Sequence, residues 1–152
     1  MRRALRVLLL LSFGLLVALR RACGDRDDID ELLDRYVAAY NNGDASAMAV
    51  LYSDDAVLLP NDQSGARGRS KIEQFWKRTL RFDPARRMGR SVSALLMAKK
   101  AGTDVAYLVG TFGIGSGDTR NFTICLARDP EGKWRIASEM WNGNGPRFQP
   151  AV

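Results

Sequence analysis

The chain has 152 residues, 46% of them hydrophobic and 26% charged, which suits one globular domain with a sizeable core. Its formal charge of +6 is no argument for nucleic-acid binding, because residues 1–22 carry five arginines and no acid, leaving 18 basic against 17 acidic side chains in the other 130. With no histidine and only Cys23 and Cys125, the chain has no zinc or iron–sulfur spacing, so acid–base chemistry falls to carboxylates, tyrosine, lysine or backbone donors.

Residues 1–24 read as a signal peptide or an N-terminal membrane anchor. A basic start precedes thirteen residues, Val7 to Leu19, that are apolar and short for a membrane span. Ala22-Cys23-Gly24 resembles the end of a bacterial lipoprotein signal, while Arg20 and Arg21 also suit an uncleaved anchor. The expectation is an exported, cell-envelope protein, periplasmic or membrane-anchored, that meets the membrane only through this segment. The domain proper is expected over 25–147, with a tail at 148–152.

Ile29, Leu32, Leu33, Tyr36, Val37 and Tyr40 recur at helical spacing and predict an amphipathic first helix. Asn41-Asn42-Gly43 ends it, and Asp44 is the expected N-cap of a short second helix running to about Tyr52. "DDAVLLP" reads as a strand buried on both faces and stopped by Pro60, with Asp54 and Asp55 in the turn before it. Residues 61–68 read as a loop, from which Asp62 could overhang a cavity mouth. Ser70 and Glu73 have capping-box spacing, and the helix they open buries Ile72, Phe75, Trp76, Thr79 and Leu80. The basic stretch from Phe82 to Arg90, with Arg86 and Arg87, reads as a solvated connector. Strands are expected over 91–99, 104–114, 120–128 and 133–142, joined by turns too short for anything but antiparallel hairpins. Gly110, Gly113, Gly115 and Gly117 lie in or just after a strand, without the helix that a phosphate cradle needs. The fold class is α+β: three N-terminal helices packed on a curled antiparallel sheet, a cone-like half-barrel with an apolar cavity.

This order, carried by "RYVAAYNNGDASAMAVLYSDDAVLLP", "GRSKIEQFWKRTL" and "GKWRIASEMWN", resembles the nuclear transport factor 2-like superfamily. Its SnoaL-like and ketosteroid-isomerase-like members are the nearest in pattern. The resemblance implies an apolar cavity lined by Tyr36 and Tyr40 from the first helix and by Phe75 and Trp76 from the third. Side chains alternate along the last strand, with Trp134 and Ile136 on one face and Glu139 and Trp141 on the other, and matching it to the family's last strand implies that Glu139 and Trp141 are on the cavity side. Phe122 and Ile124 would share the cavity face. The resemblance also implies pairing of two copies through the outer sheet face, around Val105, Tyr107, Val109 and Thr111.

The isomerase machinery of that superfamily is incomplete here. Tyr36 matches its tyrosine, but the residue before Pro60, where the base belongs, is Leu59, and the region of the second acid, near Ile124, holds none. Three functions remain open from the sequence. The favoured one is binding of a small, largely apolar molecule, with no cofactor, no metal and no nucleic acid. The second is an isomerase, cyclase or hydrolase that uses Glu139 and Tyr36 for acid–base chemistry. The third is a dimerisation or interaction module.

Overall fold

The computed structural model describes residues 24–61, 63–81, 88–100, 103–114 and 118–143. The leader with Cys23, Asp62, Arg86, Arg87 and the 148–152 tail lie outside these residues. None of the described helices is long and apolar enough to cross a membrane.

The first helix, α1, spans 24–41 and buries the predicted stripe, with Ile29, Leu32, Leu33, Tyr36 and Tyr40 all in the core. It stops because Gly43 takes a φ of 68°, a left-handed conformation that costs glycine little. Asp44 then caps α2 (Ala45–Ala49), its carboxylate accepting from the Ala47 N–H at 2.8 Å. This helix is shorter than expected. Tyr52 is not its last residue but the first of strand β1 (Tyr52–Leu59), which also contains Asp54 and Asp55, both with exposed side chains; β1 is buried on one face only, because none of the described elements packs over its outer side, where Leu59 is exposed.

A two-residue strand, β2 (Ala66–Arg67), folds back on β1 within the predicted loop, and α3 (Arg69–Thr79) follows. The expected capping box does not form. Gly68 is the N-cap, without a side-chain hydrogen bond, and Glu73 instead accepts from Ser46 at 2.8 Å and pairs with Lys77 at 2.7 Å. The reason lies in the neighbouring Arg69. Its guanidinium donates twice to the Tyr52 carbonyl, at 3.1 and 2.8 Å, and pairs with Asp54 at 2.9 Å, which fixes where the helix begins.

Strands β3 (Met88–Lys100), β4 (Thr103–Ile114), β5 (Asp118–Arg128) and β6 (Trp134–Gly143) form the expected antiparallel meander. Met88 to Arg90 thus belong to a strand rather than to the connector. The sheet order is β2-β1-β6-β5-β4-β3. One joint differs from an all-antiparallel sheet, since β1 lies parallel to β6. That follows from topology: α3 and the meander intervene between them, so no hairpin constrains their direction. The sheet is mixed and open, and its inner face forms one core with the three helices, a cone-like α+β fold.

A β-bulge in β6 corrects the alternation. The pairing of β5 with β6 runs Cys125 to Ser138 and then Leu126 to Ile136, which leaves Ala137 as an extra residue. Trp134 and Ile136 therefore share the buried face with Glu139 and Trp141, instead of opposing them.

Candidate functional site: a buried acid behind an aromatic cleft

Glu139 sits mid-strand on the inner face of the sheet, paired in register with Leu58 of β1 on one side and Ile124 of β5 on the other. Leu58, Ile124 and Glu139 are all buried, Glu139 with 3% of its surface exposed. A carboxyl in such surroundings needs partners of its own. Tyr36 reaches down from α1 and donates its hydroxyl to Glu139 Oε1 at 2.8 Å. Tyr52 donates to Oε2 from the start of β1. Trp76 of α3 in turn donates its indole N–H to the Tyr52 oxygen at 3.3 Å. One acid thus ties α1, α3, β1 and β6 together.

Among the described residues no cation pairs with Glu139, and this sets its acidity. Burial raises its pKa from 4.5 to about 7, although the hydrogen bonds from Tyr52 and Tyr36 act in the opposite direction. Both tyrosines are pushed well above the usual phenol range, first by burial and then by the nearby Glu139 charge, so they keep their protons and remain donors.

Beside this cluster lies a cleft of about 110 Å³. Tyr36, Tyr40, Phe75, Trp76, Phe112 and Trp141 form its aromatic walls. Trp76 is the centre of the packing. It meets Tyr36 and Tyr40 edge-on, each with ring centroids 6.0 Å apart, and stacks on Trp141 at 5.7 Å with 27° between planes. Met88 completes the apolar lining. It is held there by Asn41 at the end of α1, whose amide accepts from the Met88 N–H at 2.7 Å and donates to its carbonyl at 3.2 Å. The more open side carries the half-buried Thr79 and Arg120 and the exposed Gln63.

The structure brings most of the predicted site residues together. Tyr36, Tyr40, Phe75, Trp76 and Trp141 all line the cleft. Phe122 and Ile124 are on the same inner face but do not line it; Phe122 packs against Phe112 at 6.2 Å, and Ile124 flanks the acid. Glu139 does not line it either, and Tyr36 is the wall residue bonded directly to its carboxyl. Leu59 is 49% exposed on the outer face of β1, so the residue beside Glu139 is Leu58, also a hydrocarbon. Tyr52 was missed by the sequence reading. No clean alternation marks it, because the exposed Asp54 falls between Tyr52 and Ala56 on the same period of two, and the pairing of β1 shifts register between Tyr52 and Val57. Phe112 and Arg120 also escaped, since nothing local marks which strand residues reach the open end of a curled sheet.

The model of the SnoaL-like domain family matches residues 29–140. Among solved structures, the chain is similar to an NTF2-like protein with a cystatin-like fold from Novosphingobium aromaticivorans, with 24% identity over 83% of this chain and 86% of that one and a TM-score of 0.66. It is also similar to an NTF2-like protein of unknown function from Pseudomonas putida, with 19% identity over 86% and 94% of the two chains and a TM-score of 0.65. A third similar structure is a ketosteroid isomerase-like protein from Erwinia carotovora atroseptica, with 18% identity over 78% and 95% and a TM-score of 0.58. The comparison with curated proteins gives no match. At these identities the structural likeness speaks for the fold alone. The agreement of family pattern, element order and cone-like sheet identifies the chain as a member of the SnoaL-like domain family.

Proposed function

We propose that the protein binds a small, compact, largely apolar molecule in the aromatic cleft, and that Glu139 organises the site from behind rather than touching the ligand. The observation that carries this reading is the separation of the two features. The cleft ends on Tyr36, while both oxygens of the acid are occupied by tyrosine donors. Size limits the guest. A cavity of roughly 150 Å³ holds one benzene, so a cleft of about 110 Å³ takes no more than a single ring, part of which projects through the open side. A neutral one-ring probe such as toluene is expected to bind saturably, read by tryptophan fluorescence. Thr79→Trp, which fills the cleft from a half-buried position, should abolish that signal without lowering Tm by more than a few degrees. Equal binding to both proteins, or none to the parent, refutes the proposal.

One observation favours a catalytic reading, in which Tyr36 relays a proton between ligand and Glu139: the acid's pKa of about 7 suits proton transfer near neutrality. On that reading Glu139→Gln would lower turnover of an added substrate by orders of magnitude, whereas binding alone would persist.

The outer sheet face supports a homodimer. Two cross-strand rows at its centre, Leu59-Met140-Thr123-Val109 and Val57-Ser138-Cys125-Tyr107, contain no charge, and the next row, Val105-Ala127-Arg135, carries one at its end. Leu59 and Met140 are 49% and 51% exposed, and Val105, Tyr107 and Val109 are each 37% exposed, a contiguous apolar surface of the kind a partner covers. A second copy seated face to face would bury these rows against themselves. Sedimentation should give a dimer at micromolar concentration and a monomer for the double variant Tyr107→Lys, Met140→Lys; a monomeric parent sinks the idea. The leader supports export, with the domain from residue 25 onward in the cell envelope. The N-terminal mass of protein recovered from membrane and soluble fractions tests that, and an intact, unmodified leader in the cytosolic fraction would count against it.

A further inference from the structure

We infer that the ligand is an anion, a single-ring carboxylate whose ring enters the aromatic cleft and whose carboxylate faces Arg120 at the open side. This rests on the binding reading above and adds to it the charge of the guest and the way it points. The argument comes from register along the inner face. Three cross-strand pairs succeed one another from the closed end to the open end: Ile124 with Glu139, Phe122 with Trp141, and Arg120 with Gly143. The acid and the cation therefore stand four residues apart along β6, roughly 13 Å at the rise of a strand, with an aromatic layer between them. Gly143 has no side chain to crowd the arginine, and on its other side Arg120 pairs with Phe112, another wall residue.

The charge of the lining is one-sided. Arg120 is the only charged residue among the described residues of the cleft, while Gln63, Thr79 and Tyr40 can each donate or accept a hydrogen bond and Tyr36 gives its proton to Glu139. A guanidinium presents a planar fork that matches a carboxylate. It is half-buried, so part of its attraction escapes screening by water. Arg120 already makes interactions within the protein, and an incoming carboxylate joins or displaces them. At the closed end the wall is Tyr36, whose hydroxyl proton is committed to Glu139. A second anionic group there would meet an acid with no cation beside it. The site thus admits a charge at one end only, which fixes both the sign and the direction of the ligand.

The test is a ladder of three probes of one shape on the full-length protein: benzoate, neutral benzamide and cationic benzylamine. Benzoate is expected to bind about tenfold tighter than benzamide, in line with a hydrogen bond to a charged partner, and benzylamine more weakly than either. Arg120→Gln should bring benzoate down to the level of benzamide. In the parent protein, raising salt from about 20 mM to about 500 mM should shrink the preference by screening, a readout that needs no variant. Benzoate binding no tighter than benzamide, or a preference that survives Arg120→Gln, overturns the inference and leaves the apolar cleft standing. Failure of all three probes to bind removes the cleft reading and this inference with it.

Discussion

Glu139→Gln is expected to remove a pH dependence of stability that the parent protein shows between about pH 4.5 and 7. The sign follows from linkage. The folded-state pKa of Glu139, about 7, lies above the ordinary value of 4.5, so in that window the folded protein holds a proton that the unfolded chain has released. Stability from this group is full below pH 4.5, falls as pH rises through the window, and levels off above about 7. At 1.36 kcal/mol per unit, the fall is on the order of 3 kcal/mol. Glutamine does not titrate, so urea unfolding of the variant should lack this component. The two curves should diverge as pH rises. At pH 5 the variant lies within about 1 kcal/mol of the parent, because the parent's protonated carboxyl then also presents a hydrogen to one of the two phenols, as the amide does. At pH 8 it equals or exceeds the parent, which by then carries a charge in a site without a cation. A difference between the two proteins that stays constant from pH 4.5 to 8 would show that Glu139 does not titrate as its surroundings require.

Trp76→Ala should be the most damaging single change to the fold. The side chain is 2% exposed, contacts Tyr36, Tyr40, Phe75 and Trp141 through its ring, and donates to Tyr52. Truncation of a buried aromatic of this kind costs about 3–5 kcal/mol, a large share of the roughly 5–15 kcal/mol that a domain has. It also leaves the Tyr52 oxygen without its indole donor. Trp76→Phe separates these effects, because it retains most of the packing and loses the N–H; a cost of about 1–2 kcal/mol is expected. Chemical denaturation of both variants measures this. A loss below about 1 kcal/mol for the alanine would mean that the aromatic cluster is not what joins the helices to the sheet.

The residues that form the cleft were legible to different degrees, and the reason is range. Tyr36 and Tyr40 lie on a stripe that helical periodicity exposes, and Phe75 and Trp76 on another; a helix of either pattern has one face to bury, whatever it meets. Trp141 was placed correctly on the inner face, and so was Glu139, but the same counting misplaced Trp134 and Ile136. A single extra residue at Ala137 inverts the face of everything before it, and no local pattern in "WRIASEMW" announces the bulge. Ser70 and Glu73 had the spacing of a cap, yet the helix begins two residues earlier, with Gly68 as its N-cap, because Arg69 is clamped on the Tyr52 carbonyl, a contact across 17 residues.

By itself the sequence determined the order of helices and strands, the helix faces that must be buried, the hairpin connections of the meander and the absence of histidine chemistry. These depend on neighbours a few residues apart, where backbone preference and apolar periodicity act directly. It takes the packed chain to bring Tyr36 and Tyr52, 103 and 87 residues from Glu139, onto its two oxygens, to lay β1 parallel to β6, and to put the half-buried Arg120 on the wall of the cleft. Those outcomes depend on how the sheet curls and which strand edge remains free to pair, quantities set by the packing of the whole chain and encoded in no single stretch of it.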